Sequence, residues 1–474
     1  MILILILDLL AVTLLCWVAV VRGFERALPV AAFLLILFPN ESQIQIPGLF
    51  DLTTQRVIVV FLFILYLSVG NARGGSDPSE TLPLKYLLIV QILWWTLSSA
   101  NSVVVGISVK TVLSQLLDFY LAYYIFAKSI TRIETVHKIL YALVLAMFVC
   151  SVLGTVEAYW GWSVLSIFPP IAYRFANYGG DLDRGIRVQA TFGHAILYGS
   201  ALAMAIPMAL YLMAVAKTTG RKLFLWSAIL LMFLNIYKTG SRGPWIAAVL
   251  SVTPILLCGG KRMRGYVLVI SLLTASVLIA RPGVWESINN LYGETLNPDT
   301  AQGESYQWRY ALYDAGFQHL NSDPGRAMWG YGPESFFYLG WKGEFQGHTV
   351  PFDSCDSSFA ALMVETGYVG LLIVVILLFK GAYLTLLNFL RTSSAERHLY
   401  LLFFVNLGAF YFMMTNVAIF GWGQQTYMLW LVLAMSLVGP RLGVGKRARK
   451  KAPAEGSDFS PALSYAGYAS LQRQ

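Results

Sequence analysis

Charge is scarce in this sequence. Of its 474 residues only 12% are Asp, Glu, Lys or Arg, while 57% are hydrophobic; a soluble domain carries about 25% charged residues. That shortage excludes a soluble globular protein and leaves a polytopic membrane protein. Cysteine is equally sparse. Cys16, Cys150 and Cys258 fall in apolar segments and only Cys355 in a polar one, which excludes a disulfide framework or a cysteine-ligated zinc cluster. The first apolar run, Met1 to Val21, lacks a basic leading region and a small-residue cleavage site, so it is expected to remain as a span and not to be removed as a signal peptide. No internal repeat and no matched pair of interrupted spans is present, and those are sequence marks of many secondary transporters.

The net charge of +9 does not imply nucleic acid, because the basic residues recur in clusters between apolar runs. They are Arg22/Arg26, Lys128/Arg132/Lys138, Lys217/Arg221/Lys222, Lys261/Arg262/Arg264, Arg391/Arg397 and a tail from Arg441 to Lys451. Such clustering marks cytoplasmic loops and puts the C-terminus inside. A basic tail beside a bilayer meets anionic lipid, so membrane lipid is an expected partner and nucleic acid is not.

With about 17–25 apolar residues per span as the guide, thirteen segments qualify: 3–21, 27–39, 56–70, 83–99, 111–128, 137–156, 194–216, 222–238, 243–259, 265–281, 357–380, 399–416 and 424–439. Two are short, so the expected fold is all-α, a polytopic membrane protein of 12–13 transmembrane helices with one large extracytoplasmic loop. Four parts follow: residues 1–281 with ten spans and an outer loop 157–193, the loop 282–356, C-terminal spans within 357–440, and a basic cytoplasmic tail 441–474, Ser/Ala/Gly-rich towards its end and expected to be disordered. Alternation from the basic loops puts 40–55, 157–193, 238–243 and 282–356 outside. The two longest polar loops and the corner Lys238-Thr239-Gly240-Ser241-Arg242-Gly243 therefore face one compartment.

The loop 282–356 is the one large polar interval, and irregular backbone of that size between spans commonly carries working residues. Glu304 to Leu320 reads as a helix with Arg309, Leu312, Tyr313, Gly316 and Leu320 on one face. Asn321 to Gly325 stops it, Gly330-Tyr331-Gly332-Pro333-Glu334 is a turn, and Asp356 or Ser357 caps the span that follows.

Several residues here suit an anionic ligand. Arg242, at the outer mouth of its span, stays charged and can grip a diphosphate through two parallel hydrogen bonds, beside Ser241 and a helix start rich in N–H donors; the alternative is an arginine snorkelling to the interface. Arg309 is a second cation, or pairs with Asp314 or Glu304. Arg187, in Arg187-Val-Gln-Ala-Thr-Phe-Gly193-His194, is a third. His348, Asp353 and Asp356 are candidate general bases: histidine titrates near neutrality unaided, whereas Asp356 also suits a helix cap. Glu365 and Asp118 lie inside apolar runs, where an acid marks either function or a hydrogen bond to a neighbouring helix. Asp181-Leu-Asp183 has an Asp-x-Asp form, more readily read as a solvated turn than as a metal site. Trp308, Tyr310, Trp329, Tyr331, Phe336, Phe337, Tyr338 and Trp341 suit either sugar stacking or an interfacial belt.

At Ser241-Arg242-Gly243, the long outer loop, and Asp356-Ser-Ser-Phe-Ala-Ala-Leu-Met-Val-Glu365-Thr-Gly367-Tyr-Val-Gly370-Leu371, the chain resembles the O-antigen ligase/polymerase superfamily, from about Arg187 to Leu371. The resemblance implies a type C glycosyltransferase-like fold and transfer of glycan from undecaprenyl diphosphate outside the bacterial inner membrane, with no cofactor and no metal. It makes Arg242 and Arg309 the groups that neutralise the diphosphate, with Gly330 and Gly332 supporting. The ligases typically carry a His-Asn pair where this chain has Asp356-Ser357. That departure points to a polymerase of O-antigen or exopolysaccharide, with Asp356 or His348 as base. The alternatives are a ligase acting on lipid A core or protein, and a lipid-linked glycan flippase. A flippase and a chain-length regulator of the same pathway are the partners such an enzyme implies.

Overall fold

In a computed structural model, the described residues are 2–46, 51–70, 82–169, 187–280, 300–345, 348–351, 355–392 and 396–439, with scattered positions between 283 and 297. Among them the chain is almost wholly helical, and a helix lies at each of the thirteen apolar segments. Before the large loop come α1 (Ile2–Trp17), α2 (Ala27–Leu37), α3 (Thr54–Leu65), α4 (Lys85–Ala100), α5 (Val105–Gln115), α6 (Leu121–Ser129), α7 (Ile133–Trp160), α8 (Ala195–Val215), α9 (Thr219–Lys238), α10 (Arg242–Cys258) and α11 (Lys261–Ala280). The loop contributes α12 (Ala301–Asn321) and α13 (Pro324–Trp329), and the chain closes with α14 (Ser358–Arg391), α15 (Arg397–Met414) and α16 (Gln424–Val438).

Seven of these helical stretches are long and apolar enough to cross a membrane, and three more are apolar but shorter. The protein is an all-α polytopic membrane protein. The expected span 111–128 lies within one continuous helical stretch, Val105–Ser129, in which α5 and α6 are joined through a π-helical turn, Leu116–Tyr120. Among the described residues the strands form two short antiparallel hairpins, β1 (Gln43–Ile44) with β2 (Leu52–Thr53), and β3 (Lys342–Phe345) with β4 (His348–Pro351).

The bundle is built around α8, whose residues are buried almost throughout. A helix apolar on every face can be satisfied only by protein or lipid all round. Here it is ringed by α7, α9, α10 and α15, with α16 also against it. A second, smaller core lies apart from that of the bundle. Leu312 and Leu320 of α12, Phe336, Cys355, and Ala360, Met363 and Val364 of α14 are buried together. Gly316 makes that contact close, since a Cβ there would sit 3.3 Å from Val364 and 3.4 Å from Met363. The loop therefore docks on the first turns of α14 and does not stand free in water.

That docking depends on a break. Gly367, inside α14, has φ 71° and ψ 179°, so the helix is two helices joined at a kink. A kink leaves carbonyls without their helical donors, and in a membrane those carbonyls must find partners in protein. Val364 O accepts from Tyr331 N at 3.0 Å, and Glu365 O from Gly332 N at 2.8 Å. Ser98 Oγ of α4 also donates to Glu365 O, at 3.0 Å, and Trp94 Nε1 donates to Thr366 O at 2.9 Å. Trp94 and Trp329 stack face to face, with centroids 4.4 Å apart. The turn after α13 thus replaces a missing turn of helix.

Candidate active site

The corner between α9 and α10 is a tight turn. Thr239 N bonds to Asn235 O at 2.9 Å, Gly240 takes the left-handed conformation with φ 58°, and Ser241 becomes the N-cap residue of α10. Arg242 is then the first residue of that helix, half-buried. Arg187 arrives from the segment that joins α7 to α8. Its Nε donates to Thr239 O at 3.1 Å and its Nη2 to Ser241 Oγ at 2.6 Å. The Arg187 guanidinium therefore sits on Ser241 at the N-terminus of the helix that Arg242 opens, where N–H donors also favour an anion. The sequence puts these pieces in one compartment; the structure brings them into contact.

What holds Arg187 there includes residues that sequence reasoning missed. Glu157, in the last turn of α7 and almost fully buried, accepts from Gln189 N at 3.1 Å and Ala190 N at 2.8 Å. Ala190 has φ 48°, a left-handed conformation that a non-glycine residue holds only when its surroundings fix it. Gln424 Nε2, at the start of α16, donates to Thr191 O at 2.6 Å. An acid in the last turn of a helix that carries no other charge after Lys138, and a Gln pair opening an apolar segment, were the available signals.

On the loop side, Arg309 and Tyr313 project from the same face of α12, one turn apart. Arg309 Nη2 lies 3.4 Å from Asp356 Oδ2, with the arginine side chain 21% and the aspartate 38% exposed. Tyr313 hydroxyl is hydrogen-bonded to Ser357 Oγ. Ser357, not Asp356, caps α14, accepting from Ala360 N at 3.4 Å. Asp356 is thereby freed from capping and pairs with Arg309; of the partners expected for Arg309, this is neither Asp314 nor Glu304. Burial raises the Asp356 carboxyl above its ordinary value, and the facing guanidinium of Arg309 partly offsets that rise. Tyr313 is likewise held protonated by burial.

The two halves meet at the end of α15. A Cβ at Gly243 would lie 3.4 Å from Met413 Cε and 3.7 Å from Asn416 Cβ, and Ser357 Oγ donates to Met414 O at 3.3 Å. The corner bearing Arg242 and the helix start bearing Asp356 thus rest on one support.

The remaining candidates divide. Gly330 (φ 73°) and Gly332 (φ 101°) form the turn that closes on the α14 kink. The Glu365 side chain accepts from the backbone N–H groups of Glu334 and Phe336, so it anchors the same turn. Asp118 pairs with Arg56 of α3 through two hydrogen bonds of 2.9 and 2.6 Å, an ion pair inside the bundle. His348 opens β4, with its side chain outside the described residues; Asp353 and the Asp181–Asp183 pair also lie outside them. Trp308, Tyr331, Phe336 and Trp341 pack in or against the small core, and Trp329 stacks on Trp94, which leaves Tyr310, Phe337 and Tyr338 as the exposed members of the aromatic set. Among the described residues no group of three or more His, Cys, Asp or Glu is arranged to hold a metal ion.

Residues 227–375 match the family model described as O-antigen ligase. The matched stretch begins in α9 and ends past the α14 kink, so it takes in the Ser241-Arg242 corner, the whole large loop and Asp356. No curated protein matches the chain.

Proposed function

We propose that the chain is a glycosyltransferase of the O-antigen ligase and polymerase superfamily, a reading supported by the family match over residues 227–375, and that it polymerises undecaprenyl-diphosphate-linked oligosaccharide repeat units into O-antigen or exopolysaccharide. The observation that carries this reading is the Arg309–Asp356 pair, a carboxylate and a cation held together at the start of a broken helix, 3.4 Å apart. The acceptor sugar's hydroxyl attacks the anomeric carbon of the donor. A new C–O bond forms, the bond from that carbon to the diphosphate oxygen breaks, and the lipid diphosphate leaves with the electron pair. Asp356 takes the hydroxyl proton, for which its raised pKa suits it better than an ordinary carboxylate. Arg242, Arg187 and Arg309 stabilise the departing charge, a contribution worth about 3–4 kcal/mol for a single well-aimed donor. His348 is the competing base. The site faces the periplasm or cell exterior, and the flippase and chain-length regulator of the same pathway act alongside it.

A polymerase is favoured over a ligase because Asp356-Ser357 stands where the resembling ligases carry His-Asn. The test is the size distribution of surface and lipid-linked glycan in a strain lacking the protein. Single repeat units in place of long chains support the polymerase. Long chains stranded on the lipid carrier instead identify a ligase, and repeat units held on the cytoplasmic side a flippase.

A further inference from the structure

Ser357 has three hydrogen-bond partners and one proton. Its Oγ donates to Met414 O at 3.3 Å, accepts from Ala360 N at 3.4 Å, and is bonded to the Tyr313 hydroxyl. A serine hydroxyl has one O–H and two lone pairs. With its proton on Met414 O and one lone pair on Ala360 N, the remaining lone pair must accept, so Tyr313 is the donor. Ser357 is 1% exposed, so water does not substitute readily for any of the three.

The consequence lies one turn away. Arg309 and Tyr313 are four residues apart on α12 and so share a face, while their partners Asp356 and Ser357 are consecutive. The two pairs make a ladder of two rungs between the loop helix and the start of α14. Apolar contacts of Leu312 and Leu320 press the helices together, but hydrophobic contact is non-directional and leaves the helix free to roll. A hydrogen bond to a saturated, buried hydroxyl does not.

We propose that Tyr313 is a positioning residue, whose hydroxyl, donated to Ser357, fixes the roll of α12 so that Arg309 faces Asp356. The inference rests on the reading of Asp356 as base in the transfer reaction. Among the described residues, the titratable and charged groups around Asp356 are Arg309 and Tyr313 from α12, Cys355 beside it and Glu365 further along α14; the end of α15 and the turn after it, Met413 to Asn416, contribute none.

The test uses the full-length protein in vesicles with lipid-diphosphate-linked repeat unit as substrate. Tyr313→Phe keeps the ring and removes the donor. It is expected to lower kcat about five- to tenfold, the effect of one ordinary hydrogen bond, with KM for the donor unchanged. It should also move the acid limb of the pH–rate profile to higher pH, because Asp356 loses the facing cation that holds its pKa down. Ser357→Ala should do the same, and the double variant should be no worse than the more impaired single variant, since both remove one rung. Should Tyr313→Phe fail to accumulate, Ser357→Ala reads the same contact from the other side. Wild-type kcat and pH profile in Tyr313→Phe, or additive losses in the double variant, would overturn the proposal. Asp356→Asn separates the two levels: undiminished turnover there removes the base itself, whatever Tyr313 does.

Discussion

Replacing Gly330 by Ala should undo the joint between the large loop and the membrane helices. A Cβ at Gly330 would lie 2.4 Å from both C and O of Glu365 and 2.5 Å from Gly367 N. These are backbone atoms, which cannot rotate aside, so the turn must withdraw by about 1 Å to restore ordinary contact. Such a withdrawal takes the 3.0 Å bond to Val364 O and the 2.8 Å bond to Glu365 O beyond hydrogen-bonding range. Each buried group left unmatched costs about 1–3 kcal/mol, and the left-handed backbone of a non-glycine residue at least about 1 kcal/mol more. The sum is roughly 3–7 kcal/mol. Gly340 is the matched control, since it also has positive φ, 61°, but a Cβ there meets nothing within 4 Å; Gly340→Ala should cost only the backbone component. Melting of the purified protein in detergent, followed by tryptophan fluorescence, reads both the loss and the separation of the Trp94–Trp329 stack. If Gly330→Ala melts with Gly340→Ala, the turn does not carry the α14 break and the reasoning fails.

Three further outcomes follow from the site and the bundle. Arg242→Ala should reduce product about 10²–10³-fold with protein level unchanged, and Arg242→Lys should restore little, because an ammonium cannot grip bidentately; full activity in Arg242→Lys would remove the diphosphate clamp. The pH–rate profile of the wild type should show an acid limb above the ordinary carboxylate range, because activity is lost as pH falls through the raised pKa of Asp356. Arg309→Gln should shift that limb higher still, and an unmoved limb would mean that Asp356 is not the titrating base. Asp118→Ala should destabilise the bundle by about 3–5 kcal/mol by stranding the Arg56 guanidinium, whereas a paired Arg56→Leu/Asp118→Leu change should be far milder; equal losses in both variants, measured by melting, would refute the pairing argument.

Much of the architecture was readable from apolar run length alone, and every expected span coincides with a helix. The α12 face was readable as well, because helical spacing aligns Arg309, Leu312, Tyr313, Gly316 and Leu320 whatever they pack against. The break at Gly367 was not. Gly367 and Gly370 look alike in a continuous apolar run, and only the carbonyl acceptors offered to Tyr331 and Gly332 distinguish the one that leaves the helix. Contacts across sequence distance were similarly hidden. The expected topology put Arg187 and Ser241 in one compartment, but Glu157 and Gln424, which hold the Arg187 loop, act through backbone N–H and C=O groups, so the sequence marks them only as an acid and a Gln pair at the ends of apolar segments and does not say what they hold. Asp118 advertised itself as an acid in an apolar run, yet its partner Arg56 sits at the edge of another span, where an arginine draws no notice.

The partners of the broken helix also bear on how the protein is made. Trp94 and Ser98 of α4, and Tyr331 and Gly332 of the loop, all precede Gly367 in the chain. A ribosome therefore releases every group that will satisfy the stranded carbonyls before it releases the carbonyls themselves. The polar gap in α14 can be filled as soon as that helix emerges, with no wait for α15 or α16. Swapping the order, by circular permutation that makes α14 ahead of the loop, would send an unsupported break into the bilayer.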